Sequence, residues 1–147
     1  NLSSSFYTIK YILPLMKKNN WGRIINIASV HGQVASLNKS AYVASKHGMI
    51  GLTKSIALET AQIPITCNAI CPGWVNTPLV SKQIEINVKK NKTNKTIETK
   101  KLLCEKHPNL KFTSVEAIAS MAYHLCSDEA SEITGSSINI DGGWTSQ

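Results

Sequence analysis

The sequence predicts an α/β fold around about three parallel strands, and three observations support this. Apolar residues recur at helical spacing in several segments. Short, partly β-branched runs at residues 23–28, 65–71 and 136–140 lie between those segments. Each run ends in a serine, a Pro-Gly pair or an Asp-Gly-Gly sequence, which are typical of turns. Strands that alternate with helices form a parallel sheet with right-handed crossovers, and ligands bind beyond the carboxyl ends of its strands.

The first predicted element is an amphipathic helix over residues 2 to about 18. Pro14 lies inside it, so we expect a kink there. The sequence Asn-Asn-Trp-Gly at residues 19–22 is turn chemistry that ends the helix. The first strand, residues 23–28, follows, and residues 30–39 are predicted to form a loop.

The second helix is predicted from about Ser40 to residue 61, before the strand at residues 65–71. Pro72 and Gly73 end that strand. Small residues along the helix would let another helix approach closely. They are Ala41, Ala44, Ser45, Gly48 and Gly51.

Residues 74–112, called the lid segment below, form a long, polar and partly helical insertion. An insertion of this length is usually a mobile lid or disordered, and the sequence leaves both open. Thr113 to Glu116 is a capping-box pattern that begins a helix reaching about residue 127. The third strand, residues 136–140, follows Gly135, and the turn at residues 141–143 ends it.

Composition indicates a single soluble globular domain. The 147 residues are 42% hydrophobic and 17% charged. The net charge of +7 comes from lysines concentrated between Lys82 and Lys111, with Arg23 the only arginine. That pattern lacks the arginines and aromatics typical of nucleic-acid sites, so we expect a solvated face and no nucleic-acid partner.

The cysteines and the chain's apolar runs favour the cytoplasm. Cys67, Cys71, Cys104 and Cys126 show no paired Cys-x-x-Cys spacing, so reduced or buried thiols are expected, with zinc or disulfides as alternatives. No apolar run approaches the roughly 18 residues that span a membrane. The polar start at Asn1 does not resemble a signal peptide. Histidines 47, 107 and 124 are interpreted as helix or surface residues, and no metal site is predicted.

Tyr42 and Lys46 are the strongest candidates for catalysis. Residues four apart share a helix face, so the ammonium of Lys46 can lie beside the phenol of Tyr42. A positive neighbour favours the phenolate, and such a tyrosine can exchange a proton with an alcohol near neutral pH. Ser29, at the end of the first strand, would hold the reacting oxygen from the other side.

These motifs resemble the short-chain dehydrogenase/reductase family over nearly the whole chain. The matching segments are Asn-Ile-Ala-Ser29, Tyr42-Val-Ala-Ser-Lys46, Asn68-Ala-Ile-Cys-Pro-Gly73 with Thr77, and Ile140-Asp-Gly-Gly143. The resemblance implies a Rossmann-like, doubly wound parallel sheet of which this chain holds the C-terminal half. It also implies that NAD is the cofactor.

The resemblance assigns roles to individual residues. Tyr42 is the general base or acid, Ser29 orients the substrate oxygen, and Lys46 favours the phenolate and holds the nicotinamide ribose. Asn1, in Asn-Leu-x-x-x-Phe6, matches a fourth catalytic position that anchors a water beside the lysine. The cofactor-binding residues implied are Tyr42, Lys46, Pro72, Gly73, Trp74, Val75 and Thr77.

A closer resemblance is to the branch of the family that oxidises D-3-hydroxybutyrate to acetoacetate. It rests on Ser29-Val-His-Gly32, on the sequence from Lys46 to Lys54, and on Ile70-Cys-Pro-Gly-Trp-Val75. In that branch, His31, Lys39 and Gln83 match residues that bind the substrate carboxylate. A short hydroxy acid needs such charge-assisted hydrogen bonds, and Trp74 and Trp144 would add apolar walls that exclude water.

The family's N-terminal half, with its Gly-rich dinucleotide-binding turn, has no match in this sequence. We therefore expect residues 1–147 to be the C-terminal catalytic part of one domain, with an open edge on the first strand. A separate N-terminal polypeptide, a second copy or a rearranged segment would cover that edge, and the family usually forms dimers or tetramers. The alternatives are a 3-ketoacyl-carrier-protein reductase and an inactive remnant that needs an N-terminal partner.

Overall fold

A three-stranded parallel sheet forms the centre of the computed structural model, which describes residues 1–146. β1 (Gly22–Ile27), β2 (Ile65–Pro72) and β3 (Ser137–Ile140) lie in the order β1-β2-β3. Both pairings are parallel, with Gly22 opposite Ile65 and Ala69 opposite Ser137. The predicted parallel α/β sheet is therefore confirmed, with strand ends within a residue of those expected.

Two helices cover one face of the sheet. They are α1 (Leu2–Lys18) and α2 (Ser40–Glu59). Side chains that alternate along β1 and β2 point toward these helices, because successive strand residues face opposite sides. Ile9 of α1 and Ile56 of α2 pack there with Cys67 of β2, all buried. Helix α1 continues through Pro14.

The opposite face packs against α5 (Val115–Cys126). Ile70 of β2 and Leu125 of α5 are almost fully buried and contact Ala130 in the turn that follows. Helices on both faces explain why every residue of β2 is buried, since this strand has a neighbour on each side and a layer on each face.

The lid segment folds as a helical hairpin, so the alternative of disorder is wrong. Its helices are α3 (Pro78–Asn91) and α4 (Lys95–Lys106). Buried Glu98 joins them, because its carboxylate accepts hydrogen bonds from Asn91 at 3.1 Å and from Thr93 at 2.6 Å. Lys101 donates to the same carboxylate at 3.2 Å.

The N-cap of α5 lies one residue later than predicted, and no capping box forms, because the residue three positions on is Ala117. Ser114, rather than Thr113, is the N-cap, and its hydroxyl accepts a hydrogen bond from the N–H of Ala117. The hydroxyl of Thr113 instead donates to the carbonyl of Ile140 at 2.7 Å. Thr113 therefore ties the end of the lid segment to β3.

β1 has one free edge within the part of the chain that the structure describes. No strand among residues 1–146 pairs with its second side, so the suggestion that a rearranged segment covers it is wrong. Ile27 remains 48% exposed there.

Leu2 of α1 covers Gly48 of α2, whereas the position of Gly51 is open.

The four cysteines form no disulfide among residues 1–146. Cys67 and Cys71 are buried, and Cys104 and Cys126 are exposed. Burial raises the pKa of the Cys67 thiol to about 12, so it stays protonated. Among residues 1–146, no helix combines the length and the apolar character needed to cross a membrane.

Candidate active site

Ser29 leaves the carboxyl end of β1 in an extended conformation and begins a short 3-10 turn, Val30–Gly32. Its hydroxyl oxygen caps this turn by accepting the N–H of His31 at 3.2 Å. Ser29 is buried, and its side chain lines the main cavity of the molecule. The strand and the cap together fix the serine at the edge of the sheet where ligands bind.

Tyr42 and Lys46 lie one turn apart on α2, as predicted. The Nζ of Lys46 is 5.7 Å from the centre of the Tyr42 ring. The same ammonium donates a hydrogen bond to the carbonyl of Ile27, at the end of β1, at 2.8 Å. Burial lowers the pKa of Lys46, and this bond fixes the ammonium beside the phenol ring.

One cavity of about 630 Å³ gathers most of the predicted site residues. Residues from the β1 end, from α2, from the turn after β2, from α3 and from the C-terminus all line it. They are Ser29, His31, Lys39, Tyr42, Gly73, Trp74, Val75, Thr77, Gln83 and Trp144. The cavity therefore lies beyond the carboxyl ends of the strands.

Three predicted residues lie outside this cavity. Pro72 is the buried last residue of β2. Asn1 and Lys46 line a second cavity, of about 590 Å³, that runs along β1 between its free edge and α1. Asn1 is exposed, and its side chain makes no capping bond to α1. Lys46 therefore faces both the tyrosine and the space near Asn1.

His31 is the most buried polar residue of the cavity, with 3% of its surface exposed. Burial, followed by the charges of Lys39 and Lys106, lowers its pKa to about 4. The imidazole is therefore neutral at pH 7. Its ring stands edge-on to Tyr42 at 5.8 Å and to Trp144 at 5.3 Å. Its Nδ1 is buried and has no hydrogen-bond partner among residues 1–146.

Trp74 and Trp144 form the apolar wall beside this histidine. Their ring centres are 6.0 Å apart. The ammonium of Lys39 lies 4.6 Å from the centre of the Trp74 ring, and burial lowers the pKa of this lysine. The indole Nε1 of Trp74 is a second buried polar atom without a partner in the described chain. Buried polar atoms normally form a hydrogen bond. The Nε1 of Trp74 is therefore available to donate a hydrogen bond to a polar ligand.

Residues 72–75, which begin at the last residue of β2, are called the Pro-Gly turn below. This turn leads to Thr77, the N-cap of α3, whose hydroxyl accepts the N–H of Val80 at 3.4 Å. Pro78 occupies the first helical turn, where its missing N–H does no harm. Gln83 is exposed on α3 and reaches the main cavity from the side of the lid segment.

Sequence reasoning missed Lys106 and misplaced His107. Lys106 lies with its Nζ 5.8 Å from the centre of the Trp144 ring, which adds a cation next to His31. His107 was expected to be a helix or surface residue, but it is the C-cap residue that follows α4 and is fully buried. Its Nε2 accepts the N–H of Trp74 at 2.7 Å. The sequence places His107 just before Pro108, at the end of a predicted helical stretch. That position alone does not indicate which residues the histidine contacts.

No group of three or more His, Cys, Asp or Glu side chains among residues 1–146 is arranged to hold a metal ion. The polar side chains of the main cavity are instead suited to hydrogen bonding and to binding an anion. They comprise a phenol, the hydroxyls of a serine and a threonine, two lysines, a neutral imidazole and an amide.

Comparison with known proteins shows the family. Residues 1–145 match the family profile described as enoyl-(acyl carrier protein) reductase. The chain belongs to the short-chain dehydrogenase/reductase family.

Curated relatives are similar over the whole chain. A D-beta-hydroxybutyrate dehydrogenase of Rhizobium meliloti is 52% identical over 147 residues, and one of Cupriavidus necator is 50% identical. In both comparisons the match covers 100% of this chain and 57% of the relative. The chain therefore spans a little over half the length of the curated relatives that it matches.

Solved structures share the fold. The actinorhodin polyketide ketoreductase, in a variant solved with NADPH, superposes with a TM-score of 0.91 at 32% identity. The aldohexose dehydrogenase of Thermoplasma acidophilum, solved without ligand, gives 0.90 at 39% identity. Each covers 100% of this chain, and this chain covers 57% of each. The Rossmann-like fold class predicted from the sequence is confirmed.

Proposed function

We propose that this chain carries the catalytic part of an NAD-dependent oxidoreductase that interconverts D-3-hydroxybutyrate and acetoacetate. The observation that carries the proposal is the main cavity. Tyr42 and Ser29 line it beside the cation of Lys39 and the unpartnered Nδ1 of His31. The hydroxyl of a small hydroxy acid would bind to Tyr42 and Ser29, and its carboxylate would bind to Lys39 and His31.

The reacting hydroxyl would lie between Tyr42 and Ser29. In the direction of oxidation, the Tyr42 phenolate accepts the hydroxyl proton, and in reduction the phenol returns it. Ser29 orients the same oxygen by a hydrogen bond. Lys46, held at 2.8 Å from the carbonyl of Ile27, keeps its ammonium beside the ring of Tyr42. Asn1, across the second cavity from this lysine, would complete a path for the proton to solvent.

The substrate carboxylate would bind to His31, Lys39 and Gln83. A neutral imidazole can donate one hydrogen bond, Lys39 supplies the charge, and Gln83 supplies an amide N–H. Trp74 and Trp144 exclude water from this end of the cavity, which strengthens each of those bonds. The nearby Lys106 adds to the positive potential that attracts an anion.

The residues present fit the nicotinamide end of a dinucleotide. The buried Nε1 of Trp74 lacks a partner, and Gly73 brings bare backbone to the cavity wall. Tyr42 and Lys46 would hold the nicotinamide ribose, and residues 72–75 with Thr77 would hold the carboxamide. NAD, when bound, supplies the acceptor for the hydride.

We further propose that residues 1–147 act as one catalytic unit, with the lid segment over the substrate. The unit would work as a homo-oligomer, a dimer or tetramer, or with an N-terminal segment that pairs with β1. Either partner would cover the open edge of that strand.

The experiment is an assay of NAD reduction with D-3-hydroxybutyrate and, as the comparison, 2-butanol, which lacks the carboxylate. It uses the chain with any segment that its gene encodes upstream. We expect kcat/KM for the hydroxy acid to exceed that for the alcohol by about 100-fold or more, because each charge-assisted bond contributes about 1.5–3 kcal/mol. Equal values for the two substrates would contradict the proposal.

A further inference from the structure

The C-terminal end of the lid segment lies directly on three glycines. A side chain at Gly73 would collide with the imidazole of His107, and one at Gly142 would collide with Asn109. Pro108 lies in van der Waals contact with the place that a Cβ of Gly143 would occupy, at 3.5 Å. Residues 107–109, called the latch below, thus fill the space that these glycines leave open.

His107 is bonded through both ring nitrogens although it is fully buried. Its Nε2 lies 2.7 Å from the backbone nitrogen of Trp74, and its Nδ1 lies 2.8 Å from the carbonyl oxygen of Lys111. A carbonyl can only accept, so the proton is assigned to Nδ1. Nε2 then has a free lone pair and accepts the N–H of Trp74. This network requires the neutral imidazole.

The latch and the residue that follows the lid segment hold Trp74 through both of its backbone groups. Its N–H donates to His107 of the latch, and its carbonyl accepts the N–H of Thr113 at 2.8 Å. The N–H of Asn109 donates to the carbonyl of Gly142 at 3.2 Å. The His107 ring also packs against Trp144, with ring centres 5.8 Å apart.

We propose that His107 is a positioning residue, which fixes the peptide between Gly73 and Trp74 in the orientation that binds the nicotinamide carboxamide. This rests on the proposed function, in which residues 72–75 grip that carboxamide. Without the imidazole the half-buried N–H of Trp74 loses its hydrogen-bond partner, and the turn gains freedom to rotate away. His107 itself lies behind the turn and touches no reacting atom.

Two variants separate shape from hydrogen bonding. His107→Phe keeps a planar ring of similar size but removes the acceptor. His107→Gln keeps a carbonyl that accepts from Trp74 and an amide that donates to Lys111. The matched control is His124→Phe, because His124 is an exposed histidine on α5.

Hydrogen exchange at the Trp74 amide and calorimetric titration of NAD are the two readouts. In His107→Phe we expect the amide to exchange about tenfold faster, and the Kd for NAD to rise about tenfold, since losing one hydrogen bond of about 1.5 kcal/mol has an effect of that size. In His107→Gln and His124→Phe we expect both values to stay within about threefold.

Three outcomes would count against the proposal. Unchanged exchange and unchanged Kd in His107→Phe would overturn the role of His107. So would equal losses in the Phe and Gln variants accompanied by the same drop in Tm, because that would show general destabilisation. Failure of the unsubstituted protein, prepared with any segment that its gene encodes upstream, to bind NAD would overturn the proposed function itself, and with it the ligand named for this turn.

Discussion

His31 shows how the surroundings of one residue set its chemistry. Its ring is buried among Tyr42, Trp144 and two lysines, and the resulting pKa of about 4 keeps it neutral. A neutral ring leaves Lys39 as the positive charge at the carboxylate end of the cavity. The imidazole then contributes a directional hydrogen bond rather than a second charge.

The first prediction concerns the stability of the protein in acid. His31 has a pKa near 6.5 when unfolded and about 4 when folded, so between these values the unfolded chain binds a proton that the folded chain does not. Its contribution to stability is therefore full above about pH 6.5, falls as the pH drops, and stops changing below about pH 4. Urea unfolding at pH 7 and pH 4.5 should show a smaller loss in His31→Gln, by on the order of 1 kcal/mol.

The control for that measurement is His124→Gln, which should lose stability in acid as much as the unsubstituted protein does. Identical losses in all three proteins would show that His31 does not resist protonation. An NMR titration of His31 offers a second check, because a bound carboxylate should raise its pKa.

The residues that sequence reasoning located best are those with fixed local spacing. Lys46 lies beside Tyr42 because the two residues share a helix face. Ser29 and Tyr42 line the same cavity because Ser29 lies at the carboxyl end of β1. His107 was interpreted as a helix or surface residue, because its burial depends on Gly73, which is distant in sequence. Lys106 was missed for the same reason, since its neighbour Trp144 comes from the C-terminus.

At the scale of elements, helices and strands with strong periodicity were predicted closely, and the lid segment was not. α3 and α4 are polar and carry a weak apolar pattern, so their hydrophobic stripes gave little signal. Their hairpin depends instead on Glu98, a buried carboxylate that binds three side chains. The hydrogen bond from Thr93, followed by those from Asn91 and Lys101, keeps the pKa of Glu98 below its usual value.

The second prediction is that Glu98→Ala loosens the lid segment and leaves the sheet intact. The side chains of Asn91 and Thr93 lose their shared acceptor, so the joint between α3 and α4 should open more often. Hydrogen exchange should become faster in residues 78–106 and stay unchanged in β2. Glu85→Ala, which removes an exposed carboxylate from α3, is the matched control. Equal exchange in both variants would contradict this role of Glu98.

At the scale of the whole molecule, the free edge of β1 is the surface that we expect to associate with another polypeptide. Unpaired strand edges with exposed apolar side chains favour association, and Ile27 is 48% exposed at this edge. On α1, Tyr11 and Leu15 are also more than half exposed.

The third prediction is that residues 1–147, expressed alone, associate. Light scattering after gel filtration should give a mass above the 16.1 kDa of one chain. Ile27→Lys should lower that mass, because an edge lysine opposes pairing between strands. Lys54→Ala, on the exposed side of α2, serves as the control. A soluble, stable monomer would contradict the prediction.

The central claim is that Tyr42 transfers the substrate proton, and Tyr42→Phe tests it most directly. The measurement is the rate of NAD reduction with D-3-hydroxybutyrate, with the exposed Tyr123→Phe as the control. We predict that Tyr42→Phe lowers kcat by about 100-fold to 10,000-fold, the usual contribution of a general acid or base, and that the control stays unchanged. A Tyr42→Phe enzyme with a kcat near that of the unsubstituted protein would contradict the account.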